Sequence, residues 1–525
     1  MCINTGRRCE YRTTPDRRTR ASREGEELMR LPDAAWVSVE TQWDQPGLLG
    51  GPRAPSAPLM DASQVDLTQD ERYYLDFFRK STSVQCAGYF HDEFWQRVVH
   101  QASEDQPAIR HAVIGIGALN WNFVQLRVRR SHGMPDRSFC LWQINKAIHY
   151  LQRNLTETRM GRLRMETALV TCVVLVSTLL FQGDAYTAAQ HLQSGYRLLE
   201  QYLADSPEQS SFCSALTTAF AGVHLVCSTF CPENLTAVSG GGDVNPVGNP
   251  ESSIQNDESS SPLPVLRSLS SANDYIQKGR EFLVTLASMA LQNNPHGLSL
   301  EPASSGLDKK AFSVLEQLNE WQVQIRGCRV THQDRLSQRD IDALTLLELW
   351  SEMLHIILIV ESAPSPREMR YDDFLPQFQK AVQLAKALLL SDAALSPMPT
   401  FSVNTGVIPP LFFCGFKCRD WLVRQEVLML LRRWRRQEGV WSSCATALIL
   451  KRAIDLESDG LMPEDFIPES SRLESIHAES SPGDLGFRMW YRRSHCQDGI
   501  SQNTQPWESE WVSYEAGCPE QMDVL

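Results

Sequence analysis

The tightest constraint in this chain lies between Glu71 and Asn120, where apolar residues recur at helical rather than strand spacing through three successive segments. Tyr73, Tyr74, Phe77 and Phe78 fall on one face of a first helix. A turn around Gly88 follows, and then Phe90, Phe94, Trp95, Val98 and Val99 again keep helical spacing. Pro107 stands where a third helix can begin, because the N–H it lacks is unpaired in a first turn anyway. Ile109, Ala112, Val113, Ile116 and Leu119 line that helix. Side chains of this size must be buried against one another, so the stretch reads as the nucleus of a helical core. It gathers no catalytic side chains.

The rest of the chain extends the pattern. Phe139–Leu155 predicts a helix with Leu141, Ile144, Ile148 and Leu151 inward. Glu166–Phe181 is nearly continuously apolar and is expected at the centre of a bundle. Its apolar run is shorter than the roughly 20 residues that span a bilayer, so a buried helix and no membrane partner are expected. Gln182-Gly183-Asp184 breaks it, and Ala185–Leu203 follows with Ala189, Leu192, Tyr196, Leu199 and Leu203 inward. Further helices are expected over Tyr275–Leu291, Phe312–Ile325 and Ile341–Val360, the last stopped by Pro364 and Pro366. Phe374–Leu390 is expected to be helical but interrupted early by Pro376. Pro409-Pro410 reads as an entry turn to a helix from Asp420 that buries Leu422, Val423, Val427, Leu430, Leu431 and Trp434. Ala445–Leu456 is a last helix. Arg472–Ala478 and Leu485–Arg492 flank Ser480-Ser481-Pro482-Gly483-Asp484, which predicts a β-hairpin. The expected fold is mostly α: a multi-helix body with disordered N-terminal tail and linkers, and a small β-hairpin near the C-terminus.

Charge divides the chain further. The whole carries −13 over 525 residues, which argues against nucleic-acid binding by the body and requires a local basic segment for any DNA contact. Residues 1–30 are that segment, with Arg7, Arg8, Arg12, Arg17, Arg18, Arg20 and Arg23. Residues 31–65 are a Pro/Gly/Ala/Ser-rich linker in which Trp36 and Trp43 hint at a docking contact. The helical body is expected over 66–456, with a low-complexity, disordered insertion at 232–272. The hairpin and an acidic tail occupy 457–525. No Lys or Arg follows Arg493, while Glu508, Glu510, Glu515, Glu520 and Asp523 alternate with Trp507, Trp511 and Tyr514. That composition suits either a disordered activation segment, which would recruit the transcription machinery, or equally a frayed acidic terminus.

Chemistry is sparse. No HExxH, GxSxG, Walker loop or complete GxGxxG occurs, so no enzyme is expected. Fourteen scattered cysteines read as reduced, buried thiols. Cys227 with Cys231, and Cys414 with Cys418, have helical spacing but no accompanying His or second Cys pair, and a metal is not expected there. His111 and His191 read as hydrogen-bonded core residues.

Several stretches carry a family resemblance. Glu71–Thr82 fits ERxxxxFFxxxT, Gly88–Gln101 fits GYFxxxFWxRxxxQ, and Pro107–Leu119 fits PAIRHAVIxxGAL. In this order they resemble the region that follows the DNA-binding domain in fungal binuclear zinc cluster transcription factors. Ala188–Leu199, Pro409–Leu411, Lys417–Asp420 and Leu430–Trp441 resemble further parts of the same body: AxxHLxxGxxLL, PPL, KCRD and LLxxxxRxEGxW. The segment CINTGRRCEY, with six residues between Cys2 and Cys9, resembles the end of the six-cysteine zinc motif itself.

The resemblance implies a nuclear regulator of RNA polymerase II genes, with secondary-metabolite gene clusters as the target. It names Cys2 and Cys9 as zinc ligands and Arg7, Arg8 and Arg12 as DNA phosphate contacts. Two thiolates do not make a four-ligand zinc site. The motif's first four cysteines and the basic helix between the second and third are not in residues 1–525. Zinc and promoter DNA therefore enter only if upstream cysteines exist, supplied by a missed upstream exon. If that half is truly lost, the chain is an interaction module that modulates other regulators without binding DNA itself. The resemblance also allows a homodimer.

Overall fold

In the computed structural model the described residues are 67–125, 137–155, 161–205, 210–230, 275–283, 286, 307–361, 368–395, 399–404, 406–462, 465–479, 486–494 and 506–513. The basic segment, the linker and the insertion at 232–272 lie outside them. Helix α1 (Gln69–Phe77) opens on a capping box. Thr68 Oγ1 accepts from the Glu71 N–H, and Glu71 accepts from the Thr68 N–H at 2.9 Å. A π-helical turn (Phe78–Thr82) leads into α2 (Ser83–Cys86), and the chain reverses at Gly88, whose φ of 61° favours glycine. A second π turn (Phe94–Val98) and α3 (Val99–Asp105) precede α4 (Pro107–Gln125), which does begin at Pro107. Helices α5 (Arg137–Leu155), α6 (Arg162–Phe181), α7 (Ala185–Ala204) and α8 (Ser211–Phe230) complete a first apolar core.

A second core follows. It gathers α9 (275–283), α10 (Leu307–Thr331), α11 (Gln338–Glu361) and α12 (Leu375–Leu395). To these it adds α13 (Ile408–Lys417), α14 (Trp421–Arg433) and α15 (Ser443–Glu457). Helices α6 and α11 are long and apolar enough to cross a bilayer, but most of each is buried among neighbouring helices. A small sheet pairs β1 (Thr400–Ser402) parallel to β2 (Arg436–Glu438), and β2 antiparallel to β3 (Trp441–Ser442). An antiparallel sheet in the order β4 (Leu473–Glu479), β5 (Gly486–Arg493), β6 (Glu508–Ser513) follows α15. Leu473, Phe487, Met489 and Tyr491 of that sheet belong to the second core.

The mostly helical reading holds, with several corrections. Leu141 is 49% exposed, because α5 turns Cys140, Gln143 and Ala147 inward instead. Gln143 is drawn in by its hydrogen bond to Glu71. Leu203 lies on the surface at the last turn of α7. Leu422 is 75% exposed, because α14 turns Arg424 inward to an ion pair and buries Leu428 with Val423 and Val427; Trp434 is only half-buried. Pro376 falls in the first turn of α12, where it interrupts nothing, and Pro409-Pro410 form the first turn of a buried helix rather than a turn alone. The hairpin gains a third strand, β6, taken from the stretch read as a free acidic tail. Residues 514–525 lie outside the described residues.

Candidate functional site

The two cores exchange segments. Tyr89 and Phe90, just after α2, pack in the second core, and Phe401 and Val403 of the β1 segment pack in the first. Where they cross, polar groups form a seam. Arg280 on α9 donates to Asp92 Oδ2 at 3.0 Å and to Asn404 Oδ1 at 2.9 Å. Asn404 Nδ2 donates to the carbonyls of Cys86 and Ala87. Arg339 on α11 donates to the carbonyls of Gly88 and Phe90 at 3.1 and 2.7 Å. Tyr89 donates its hydroxyl to Asp392 at 2.6 Å, and Arg436 pairs with both Asp392 and Glu438. Burial pushes the Tyr89 phenol well above its usual range, so it remains a donor.

Glu438 is completely buried, and its carboxylate accepts the N–H groups of Gly406, Val407 and Ile408 at 3.1, 2.9 and 2.9 Å. This places a negative charge at the positive end of α13. Gln437 donates to the Phe181 carbonyl, and the Trp441 indole to Thr229, so β2 and β3 also hold the ends of α6 and α8. Gly439 has a φ of 56°, and a Cβ there would stand 2.2 Å from Val226. Residues of the two family-like stretches, Gly88-Tyr89-Phe90 and Arg436–Trp441, thus meet at one place despite their separation in sequence.

Two further networks explain other motif residues. In the first core, Glu71 accepts from Gln143 and Lys146 at 2.8 and 2.7 Å. Burial raises its carboxyl, but these hydrogen bonds and the Thr68 N–H outweigh that and bring it to about 2. His111 shares a 2.7 Å hydrogen bond with Gln143 and stacks on Tyr150, and burial lowers its pKa, as befits a neutral core histidine. His191, in contrast, is exposed on α7.

In the second core the KCRD residues anchor three elements. Lys417 and Arg419 pair with Glu368 at 2.6 and 2.8 Å, and Arg419 and Arg424 both pair with Glu457. Asp420 caps α14 by accepting the Val423 N–H at 3.0 Å. Glu457 also accepts the Leu473 N–H, which ties β4 to the end of α15. Burial raises the Glu457 carboxyl, but the two guanidinium charges overrule it and hold it near 2.

None of these networks sets a nucleophile beside a base. A cleft of about 140 Å³ beside the KCRD network is lined in part by Trp421, Ile454, Leu461 and Met462, with Arg419, Arg424 and Lys451 facing Asp455 and Asp465. Among the described residues no group of three or more His, Cys, Asp or Glu is placed to hold a metal. Cys414 and Cys418 are buried, and burial pushes both thiols up, Cys418 to about 11, so they are thiols rather than thiolate ligands. No described cysteine is in a disulfide, and most of them are buried. Cys231, Cys2, Cys9, Arg7, Arg8 and Arg12 lie outside the described residues. Periodicity gave no sign of Asp92, Arg280, Asn404 or Glu368. Each is a polar residue beside an apolar face, and only a distant partner gives it a role.

Residues 72–453 match the family described as the fungal specific transcription factor domain. The chain belongs to this family. The matched span contains the seam and most of both cores. No curated protein and no solved structure matches the chain. As a fungal specific transcription factor domain the body is a transcription regulator's, and buried ion pairs join its elements.

Proposed function

We propose that this protein regulates RNA polymerase II transcription from the nucleus, controlling a secondary-metabolite biosynthetic gene cluster. The match across residues 72–453 supports the regulatory part of this reading, and the gene-cluster target rests on the sequence resemblance. The body supplies a rigid scaffold, because the seam ties the segment after α2 to β2 and α13 through buried, paired charges. A partner bound to either half therefore acts on a single unit. If upstream cysteines complete a zinc cluster to which Cys2 and Cys9 contribute, promoter DNA would be reached through that cluster and through Arg7, Arg8 and Arg12 of the N-terminal segment. Those two cysteines do not fit a zinc site by themselves, and no described residue cluster completes one. Four further cysteines are required, and without them the protein works as an interaction module on other regulators, or as a homodimer that does so.

Two measurements test this. Deleting the gene and sequencing transcripts should lower or raise a contiguous set of biosynthetic genes; an unchanged transcriptome would sink the regulatory reading. Chromatin immunoprecipitation of residues 1–525 then separates the modes. Occupancy of those promoters that survives loss of other regulators supports direct DNA binding, and occupancy that depends on them supports the module.

A further inference from the structure

The acidic, tryptophan-bearing segment that reads as a free activation tail is held as an edge strand. β6 pairs with β5 along six residues, from Gly486↔Ser513 to Tyr491↔Glu508. Its carboxylates are occupied by the body. Arg452 on α15 clasps Glu510 with two hydrogen bonds of 2.7 and 2.8 Å. Glu508 accepts from the Tyr491 hydroxyl at 3.1 Å and lies 3.6 Å from Arg493. Trp507 lies under the Arg492 guanidinium, and Trp511 covers Gly486. Yet the strand is lightly anchored. β5 sends Phe487, Met489 and Tyr491 into the second core, whereas β6 sends only Val512 to its margin. Trp507 and Trp511 are 40% and 52% exposed, and both clasping arginines are partly exposed. Edge strands with one neighbour and little buried apolar surface open locally well before the fold does.

We infer that β6 is a detachable strand, and that its docking on β5 and α15 withholds an acidic–aromatic segment from the transcription machinery. This rests on the regulatory reading above. Undocking frees Glu508 and Glu510 from Arg493 and Arg452, uncovers both indoles and releases the strand's backbone groups for a partner. The chemistry that fits the released segment is a basic, apolar groove on a coactivator.

The test uses the full chain fused to an unrelated DNA-binding domain, with a reporter gene and amide hydrogen exchange as readouts. The substitutions fall on the body, so the segment keeps its own sequence. Arg452→Ala with Arg493→Ala should raise exchange at residues 508–513 about fivefold, as expected for the loss of two surface ion pairs. Reporter output should rise with it. Gly486→Ala should do the same without touching a charge, since its Cβ would stand 2.4 Å from the Val512 carbonyl oxygen. Adding Trp507→Ala and Trp511→Ala to either variant should abolish the rise. Faster exchange with unchanged output overturns the inference, as does a rise that survives loss of both tryptophans. Failure of the regulatory reading shows separately, as an unchanged transcriptome on gene deletion.

Discussion

The first core and the second are both helical, but they are assembled by different means. In the first, Glu71 and Asp92 are the only carboxylates buried among the described residues, and the polar load is mostly hydroxyls. Thr167, Thr171, Ser177 and Thr178 return their hydrogens to carbonyls one turn back within α6, so that helix needs no partner for them. The second core buries Arg280, Glu368, Lys417, Arg424, Arg436, Glu438, Glu457 and Arg472. Each depends on a group from another element. The first core is therefore specified by shape and the second by pairing. A buried pair adds little over a well-packed apolar substitute, but it is severe to break, because the survivor is left charged and dry.

The largest expected effect breaks this contrast directly. Glu457→Ala strands Arg424, leaves Arg419 with Glu368 alone, and should cost about 3–5 kcal/mol in urea denaturation. Glu71→Ala in the first core should cost only about 2 kcal/mol, because Lys146 is partly exposed and can turn to water. Equal losses would erase the distinction.

Acid sharpens the comparison next. Burial lowers His224 in α8 from 6.5 to about 4, so the unfolded chain takes a proton that the folded chain refuses. Stability from this group is present above pH 6.5 and is lost as pH falls from 6.5 toward 4, by on the order of 3 kcal/mol. Glu71 and Glu457, held near 2 against an ordinary 4.5, lose their contribution only as pH falls from about 4.5 toward 2. Hydrogen exchange at pH 7, 5.5 and 4 should show protection lost first around α8, in the first core. A first loss around α15 would reverse the assignment.

Two smaller effects probe the first core's packing. Gly117→Ala would place a Cβ 2.6 Å from the Tyr74 carbonyl oxygen, forcing α1 from α4, and should cost about 1–3 kcal/mol as a lowered Tm. Thr68→Ala removes half of the α1 capping box and should cost about 1 kcal/mol by the same measurement.

Legibility followed the same division. Where burial is a matter of apolar faces, spacing was enough: α4, α6 and the inward residues Ala189, Leu192, Tyr196 and Leu199 of α7 lie where periodicity puts them. Where a polar side chain is drawn inward, spacing failed. Gln143 and Arg424 each rotate a helix toward a partner far away in sequence, and Leu141 and Leu422 turn outward as a result. The seam was legible only as two motif-like stretches, with no sign that they touch.

By itself the sequence determined the helical class, the places where most helices begin and end, and the family, because these depend on local spacing and on residue identity. Tertiary structure alone decided which charges are buried and with whom. It brought Gly88-Tyr89-Phe90 to Arg436–Trp441 and folded Glu508–Ser513 onto β5 as a strand. The physical reason is range. A helix is stabilised by residues three and four positions apart, which a reader of the chain can see. A buried ion pair or an edge strand is stabilised by a partner whose position along the chain is unconstrained until the core has formed.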